Sequence, residues 1–145
     1  MKYMGGKYFL CKEISSIMKS YIKPDMIDGY LEPFCGALNV LLKMNDYKCI
    51  ASDYHPDLIQ MWREVQNDTF IPPEEVTEEY YNESKKLKSP SALKGFIGFG
   101  LSFSGKFYCG YAEKYRNEKR LIWNLTKKLD PQEYFFRKEN NYNWT

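Results

Sequence analysis

Two short apolar runs, each passing at once into a stretch of helical spacing, restrict this chain more than any other feature. The first, Asp28-Gly29-Tyr30-Leu31-Glu32-Pro33-Phe34, enters a Cys35-Gly36 turn and continues into Leu38 to Met44, predicted as a helix. The second, Lys48 to Ser52, ends on Asp53, and Pro56 to Val65 resumes helical periodicity with Asp57 in its first turn. Upstream, Leu10, Ile14, Ile17, Met18 and Tyr21 recur at steps of three and four, so Lys7 to Ile22 reads as an amphipathic helix stopped by Pro24. The order α-β-α-β-α calls for a parallel sheet with crossover helices.

In such a sheet the turns after the strands are where ligands bind. A glycine at the first turn, Gly36, lets the backbone come close to a nucleoside. A carboxylate at the end of the next strand, Asp53, stands 17 residues further on and can accept hydrogen bonds from both ribose hydroxyls. The turn lacks the G-x-G-x-x-G pattern, and no phosphate-loop Lys-Ser/Thr follows it. A nucleoside ligand without phosphates fits better than a dinucleotide or nucleoside triphosphate. Asp53 also suits the cap of the following helix. Glu32 in a strand requires a partner, either a ligand or the Lys7 ammonium.

Residues 67 to 90 turn acidic and proline-interrupted, reading as a loop and then a helix near Glu74 to Lys86. Residues 94 to 112 interleave five glycines with Phe96, Phe99, Phe103, Phe107 and Tyr108, a density that argues against a long regular helix and for close backbone approach to a ligand. Glu113 to Leu129 returns to helical spacing. The net charge of +2 conceals a division. Residues 1 to 84 carry 8 basic against 14 acidic side chains, and residues 85 to 128 carry 11 against 2. A basic block beside an acidic one suits a protein that turns one face to a polyanion, although a solvated lysine-rich surface has the same composition.

At 145 residues, 43% hydrophobic and 28% charged, the chain has the make-up of one globular domain. Four scattered cysteines without a C-x-x-C pair and a single histidine leave no zinc pattern, and reduced thiols are expected. No apolar run reaches the roughly 18 residues that span a bilayer, and the first residues carry no signal-peptide core, which predicts a cytoplasmic protein.

Three segments together resemble the Dam-like family of DNA adenine N6-methyltransferases. Lys2-Tyr3-Met4-Gly5-Gly6-Lys7 is similar to the family's N-terminal segment, Glu32-Pro33-Phe34-Cys35-Gly36-Ala37-Leu38 to its E-P-F-x-G-x-G loop, and Ser52-Asp53-Tyr54-His55-Pro56-Asp57-Leu58-Ile59 to its N-D-x-N-x-x-L-I segment. The resemblance implies a partial Rossmann-like methyltransferase fold of the α/β class, in a bacterial or phage-infected cell. It implies S-adenosylmethionine held by Tyr3, Gly5, Gly6, Lys7, Glu32, Pro33, Phe34, Cys35, Gly36, Ala37, Asp53 and Tyr54. It also implies a helical, basic insertion over residues 69 to 128 that contacts double-stranded DNA, with residues 1 to 68 and 129 to 145 forming the core. Lys94, Ser104, Lys106, Lys114, Arg116, Lys119 and Arg120 are the candidate DNA contacts, and no metal is implied.

Two departures qualify the resemblance. Leu38 stands where the family often has glycine. More consequentially, the sequence has no Asp-Pro-Pro-Tyr segment, with which the family accepts hydrogen bonds from the adenine amino group and stacks on the flipped base. Asp130-Pro131-Gln132-Glu133-Tyr134 echoes its letters but follows a lysine-rich helix end. No catalytic residue is assigned. The expectation is a chain that ends before the catalytic motif and is inactive alone: half of a split enzyme completed by a second polypeptide, a self-associated dimer, or a non-enzymatic DNA- or partner-binding regulator.

Overall fold

The computed structural model describes residues 1–112 and 134–136. In chain order they form α1 (Cys11–Tyr21), β1 (Tyr30–Glu32), β2 (Cys49–Ala51), α2 (Pro56–Gln66), α3 (Glu78–Ser84), α4 (Ala92–Gly100) and β3 (Tyr134–Phe136). The sheet is parallel, as expected from the sequence. β1 pairs with β2 in the register Leu31↔Ile50, and β2 with β3 in the register Ile50↔Phe135, so β2 is central.

α2 begins at Pro56, whose missing N–H is no loss in a first turn. It buries Leu58, Ile59, Met61, Trp62 and Val65. α4 packs across it, contributing Phe96 and Ile97 to the same core as Leu38, Leu41 and Met44. α3 is shorter than its predicted span of Glu74 to Lys86, starting where the Thr77 side chain caps the Tyr80 N–H at 3.1 Å.

Three local expectations give way. Leu38 to Met44 is not an α-helix: Leu38 takes φ +59°, and a 3-10 turn follows over Leu41–Lys43. The three-residue spacing of Leu38, Leu41 and Met44 suits that tighter turn, and all three are fully buried. The glycine-rich stretch instead begins as a helix, α4, in which glycine serves helix packing. A Cβ on Gly95 would lie 2.4 Å from the Asp57 carbonyl oxygen of α2, and one on Gly98 would lie 2.4 Å from the Phe107 ring. Finally, α1 starts at Cys11 rather than Lys7, and its apolar stripe is only partly covered, leaving Leu10, Ile17 and Tyr21 exposed.

After α4 the chain doubles back through residues 101–112. Phe103 N–H donates to Gly110 O and Ala112 N–H to Leu101 O. Tyr81 and Ser102 share a 2.7 Å hydroxyl contact, as do Ser84 and Tyr108, which fastens this hairpin to α3. Its tip presents Phe103, Ser104 and Lys106 to solvent. Among the described residues no helix is long and apolar enough to cross a membrane.

Candidate functional site

β1 and β2 run parallel, so the turns after them leave the same edge of the sheet. Ser52, Asp53 and Trp62 then fix the loop after β1. Ser52 N–H donates to Glu32 O at 3.0 Å, its hydroxyl donates to Pro33 O at 3.0 Å, and its carbonyl accepts from Cys35 N–H at 2.9 Å. Gly36 N–H donates to Asp53 Oδ2 at 2.9 Å, and Gly36 O accepts from the buried Trp62 indole at 2.8 Å. Gly36 stands at φ +47°, which the absence of a side chain permits. The other Asp53 oxygen accepts from His55 N–H at 3.1 Å. Each carboxylate oxygen therefore retains a lone pair for a further donor.

The amino-terminal segment forms the opposite wall. The Tyr3 ring lies against Gly36, where a Cβ would come within 2.9 Å of it, and packs on Phe99 at 5.1 Å between centroids. Burial, and then the neighbouring Asp53 and Cys35, push the Tyr3 hydroxyl up to about 12, so it stays a neutral donor. Met4 N–H donates to Gly105 O at 3.2 Å, which joins this segment to the hairpin tip. Gly5 occupies the left-handed region at φ +79°. His55 packs edge-on against Phe99 and Phe107, and burial lowers its pKa. Phe34 and Tyr54 are 82% and 88% exposed, leaving two aromatic faces beside Gly36 and Asp53. Ala37 and Cys35 are buried, and burial raises the Cys35 thiol pKa.

Lys7 does not pair with Glu32. Its ammonium turns back to the Gly5 carbonyl at 2.8 Å, closing a local turn. Glu32 Oε2 is buried without a partner. Burial raises this carboxyl to about 7, against smaller lowering effects of the Leu41 backbone and the Tyr30 hydroxyl. A raised folded-state value means ionisation costs stability as pH climbs from the unfolded value of 4.5 through 7, and the cost is complete above that. Glu32→Gln should therefore stabilise the protein by about 1–2 kcal/mol at pH 8, discounted for partial solvent screening, and by about nothing at pH 4.5. Urea titrations at the two pH values test this, and an equal effect at both would refute it.

Of the candidate DNA contacts, Ser104 and Lys106 share the hairpin tip, Ser104 in the left-handed region at φ +56°. The Lys94 ammonium instead donates to Leu87 O at 2.8 Å and Ser89 Oγ at 3.3 Å, fastening the loop before α4. Lys114, Arg116, Lys119 and Arg120 lie outside the described residues, as do Asp130 to Glu133. Tyr134 opens β3, at the amino end of that strand, whereas Gly36 and Asp53 follow the carboxyl ends of theirs. Sequence reading missed Ser52 and Trp62, whose bonds to the loop cross 19 and 26 residues.

The glycine loop at the sheet edge, clasped by the carboxylate after the next strand, is the geometry of the site, and comparison supplies the class. Residues 3–99 match the family described as D12 class N6 adenine-specific DNA methyltransferase, and the chain belongs to that family. The match takes in the amino-terminal wall, the glycine loop, Asp53 and most of α4. No curated protein matches the chain. The family's substrate is DNA adenine, and its members use S-adenosylmethionine as methyl donor.

Proposed function

We propose that this chain is the cofactor- and DNA-binding portion of an adenine methyltransferase of Rossmann-like fold, with S-adenosylmethionine seated between residues 3–7, 32–37 and Asp53. One observation carries the reading: Asp53 bonds Gly36 across two parallel strands while keeping acceptor capacity on both oxygens. When bound, the cofactor supplies an electrophilic methyl group on a sulfonium. The residues present fit such a group. Asp53 accepts from the ribose hydroxyls, Phe34 and Tyr54 offer apolar faces to a purine, and Glu32 has a buried oxygen that lacks the partner a cationic amine would give it. Gly5 and Gly6 leave the amino-terminal wall free of side chains beside the loop.

Calorimetry with S-adenosylhomocysteine tests the reading. Binding is expected for the wild type, with a loss of at least 30-fold on Asp53→Ala from two forfeited charged hydrogen bonds. A wild-type protein that binds neither S-adenosylhomocysteine nor S-adenosylmethionine at millimolar concentration would overturn it.

Residues 69 to 128 form the DNA-recognition insertion in this reading, contacting phosphates through its basic side chains, Lys106 among them, and through the Ser104 hydroxyl. Affinity for duplex DNA should then fall steeply with salt, with a log-log slope near −3.6 for about four phosphate contacts. A slope near zero would return these lysines to the solvated surface.

A further inference from the structure

We infer that Trp62 is a positioning residue for the cofactor loop, acting through the Gly36 carbonyl; the inference rests on the cofactor reading proposed above. The peptide groups of Gly36 are held from both sides by side chains. Its N–H is taken by Asp53 Oδ2 at 2.9 Å, and its carbonyl by Trp62 Nε1 at 2.8 Å. Glycine at φ +47° has no side chain to resist rotation of these peptides. The orientation of the Gly36 N–H, and with it the direction in which Asp53 presents its free lone pairs, therefore depends on what holds the carbonyl.

Trp62 is suited to that task. It is fully buried on α2, the helix that begins three residues after Asp53, so one rigid element carries the indole and adjoins the carboxylate. A buried indole N–H needs an acceptor, and the Gly36 carbonyl is the acceptor it has. Leu38, two residues on, is also in the left-handed region with its side chain fully buried, so the loop is anchored on the far side by packing. The stretch between Glu32 and Leu38 is thus held by Ser52 at its start, by Leu38 at its end, and by Asp53 and Trp62 at its middle.

The test removes the donor and keeps the ring. Trp62→Phe does this with some loss of packing, and replacement by the benzothienyl isostere of tryptophan, installed by nonsense suppression, exchanges only N–H for sulfur. In both, amide hydrogen exchange at Cys35 and Gly36 is expected to quicken about tenfold relative to Ile50 on β2. S-adenosylhomocysteine affinity is expected to weaken about tenfold, the usual effect of orphaning one buried group. A merely structural tryptophan would lower the urea midpoint while leaving loop exchange and the affinity of the folded protein unchanged, and that outcome with the isostere overturns the inference. Faster exchange with unaltered affinity overturns it too. Should the wild type fail to bind S-adenosylhomocysteine, the cofactor reading falls, and the exchange measurement still decides whether Trp62 holds the loop.

Discussion

Asp57→Ala is expected to lower the stability of the protein by about 3–4 kcal/mol, the largest effect of any single truncation away from the apolar core. Asp57 is 2% exposed in the first turn of α2. One oxygen accepts from Ser91 N–H at 2.8 Å and the other from Ser89 Oγ at 3.0 Å. Ser91 is itself the cap of α4, so Asp57 joins the start of α2 to the start of α4. Truncation leaves a helix-terminal N–H and a hydroxyl without their acceptor and opens a small void between α2 and α4. Asp57→Asn keeps an acceptor and should cost less than half as much. Urea denaturation monitored by circular dichroism measures both, and midpoints within error of the wild type would show that this carboxylate does not hold the two helices together.

The second large effect is on chemistry. The adenine amino nitrogen is conjugated into its ring and is a poor nucleophile, so methyl transfer requires it to be held in line and its hydrogens accepted. The 145 residues contain no Asp-Pro-Pro-Tyr segment to do this. Tyr134, the last residue of the Asp130–Tyr134 echo, opens β3 at the strand end opposite the edge where Gly36 and Asp53 stand. We expect no detectable tritiated methyl incorporation into unmethylated genomic DNA by these residues alone. A separately expressed polypeptide carrying an Asp-Pro-Pro-Tyr strand should restore it if two chains complete one enzyme. Among the described residues β1 and β3 each have one neighbour, β2, and an added strand would pair at one of these open edges. N6-methyladenine formed by the purified chain, abolished by Asp53→Ala and verified by mass spectrometry, would show that another group performs the acceptor role.

The parts of this architecture visible in the sequence were those set by short-range pattern. Tyr30–Glu32 and Cys49–Ala51 announce themselves as apolar runs, and the parallel order follows from the helical stretches around them. The pairing of Asp53 with Gly36 was legible because parallel strands bring the turns after them to one edge of the sheet. What stayed hidden depends on partners far along the chain. Gly95 and Gly98 look like loop residues until α2 and Phe107 are seen to press against them. Trp62 looks like any other core residue on an amphipathic helix, since its spacing does not reveal that its indole reaches back 26 positions to a carbonyl. Glu32 and Lys7 suggested a pair by opposite charge alone, and local turn closure at Gly5 took the ammonium elsewhere. Leu10, Ile17 and Tyr21 follow the helical period faithfully, yet periodicity says which side is apolar and not how much of it is covered.

Leu38 places two opposed demands on one position. Its backbone at φ +59° favours glycine or asparagine, while its fully buried side chain favours a large aliphatic group. Glycine would relax the backbone and hollow the core, and isoleucine would keep the volume but add branching at Cβ where the left-handed conformation tolerates it least. The tolerated alphabet at residue 38 should therefore be narrow, confined to side chains of similar volume that are not branched at Cβ, such as methionine. Glycine would become tolerable at this position only after a neighbouring residue had grown to fill the space.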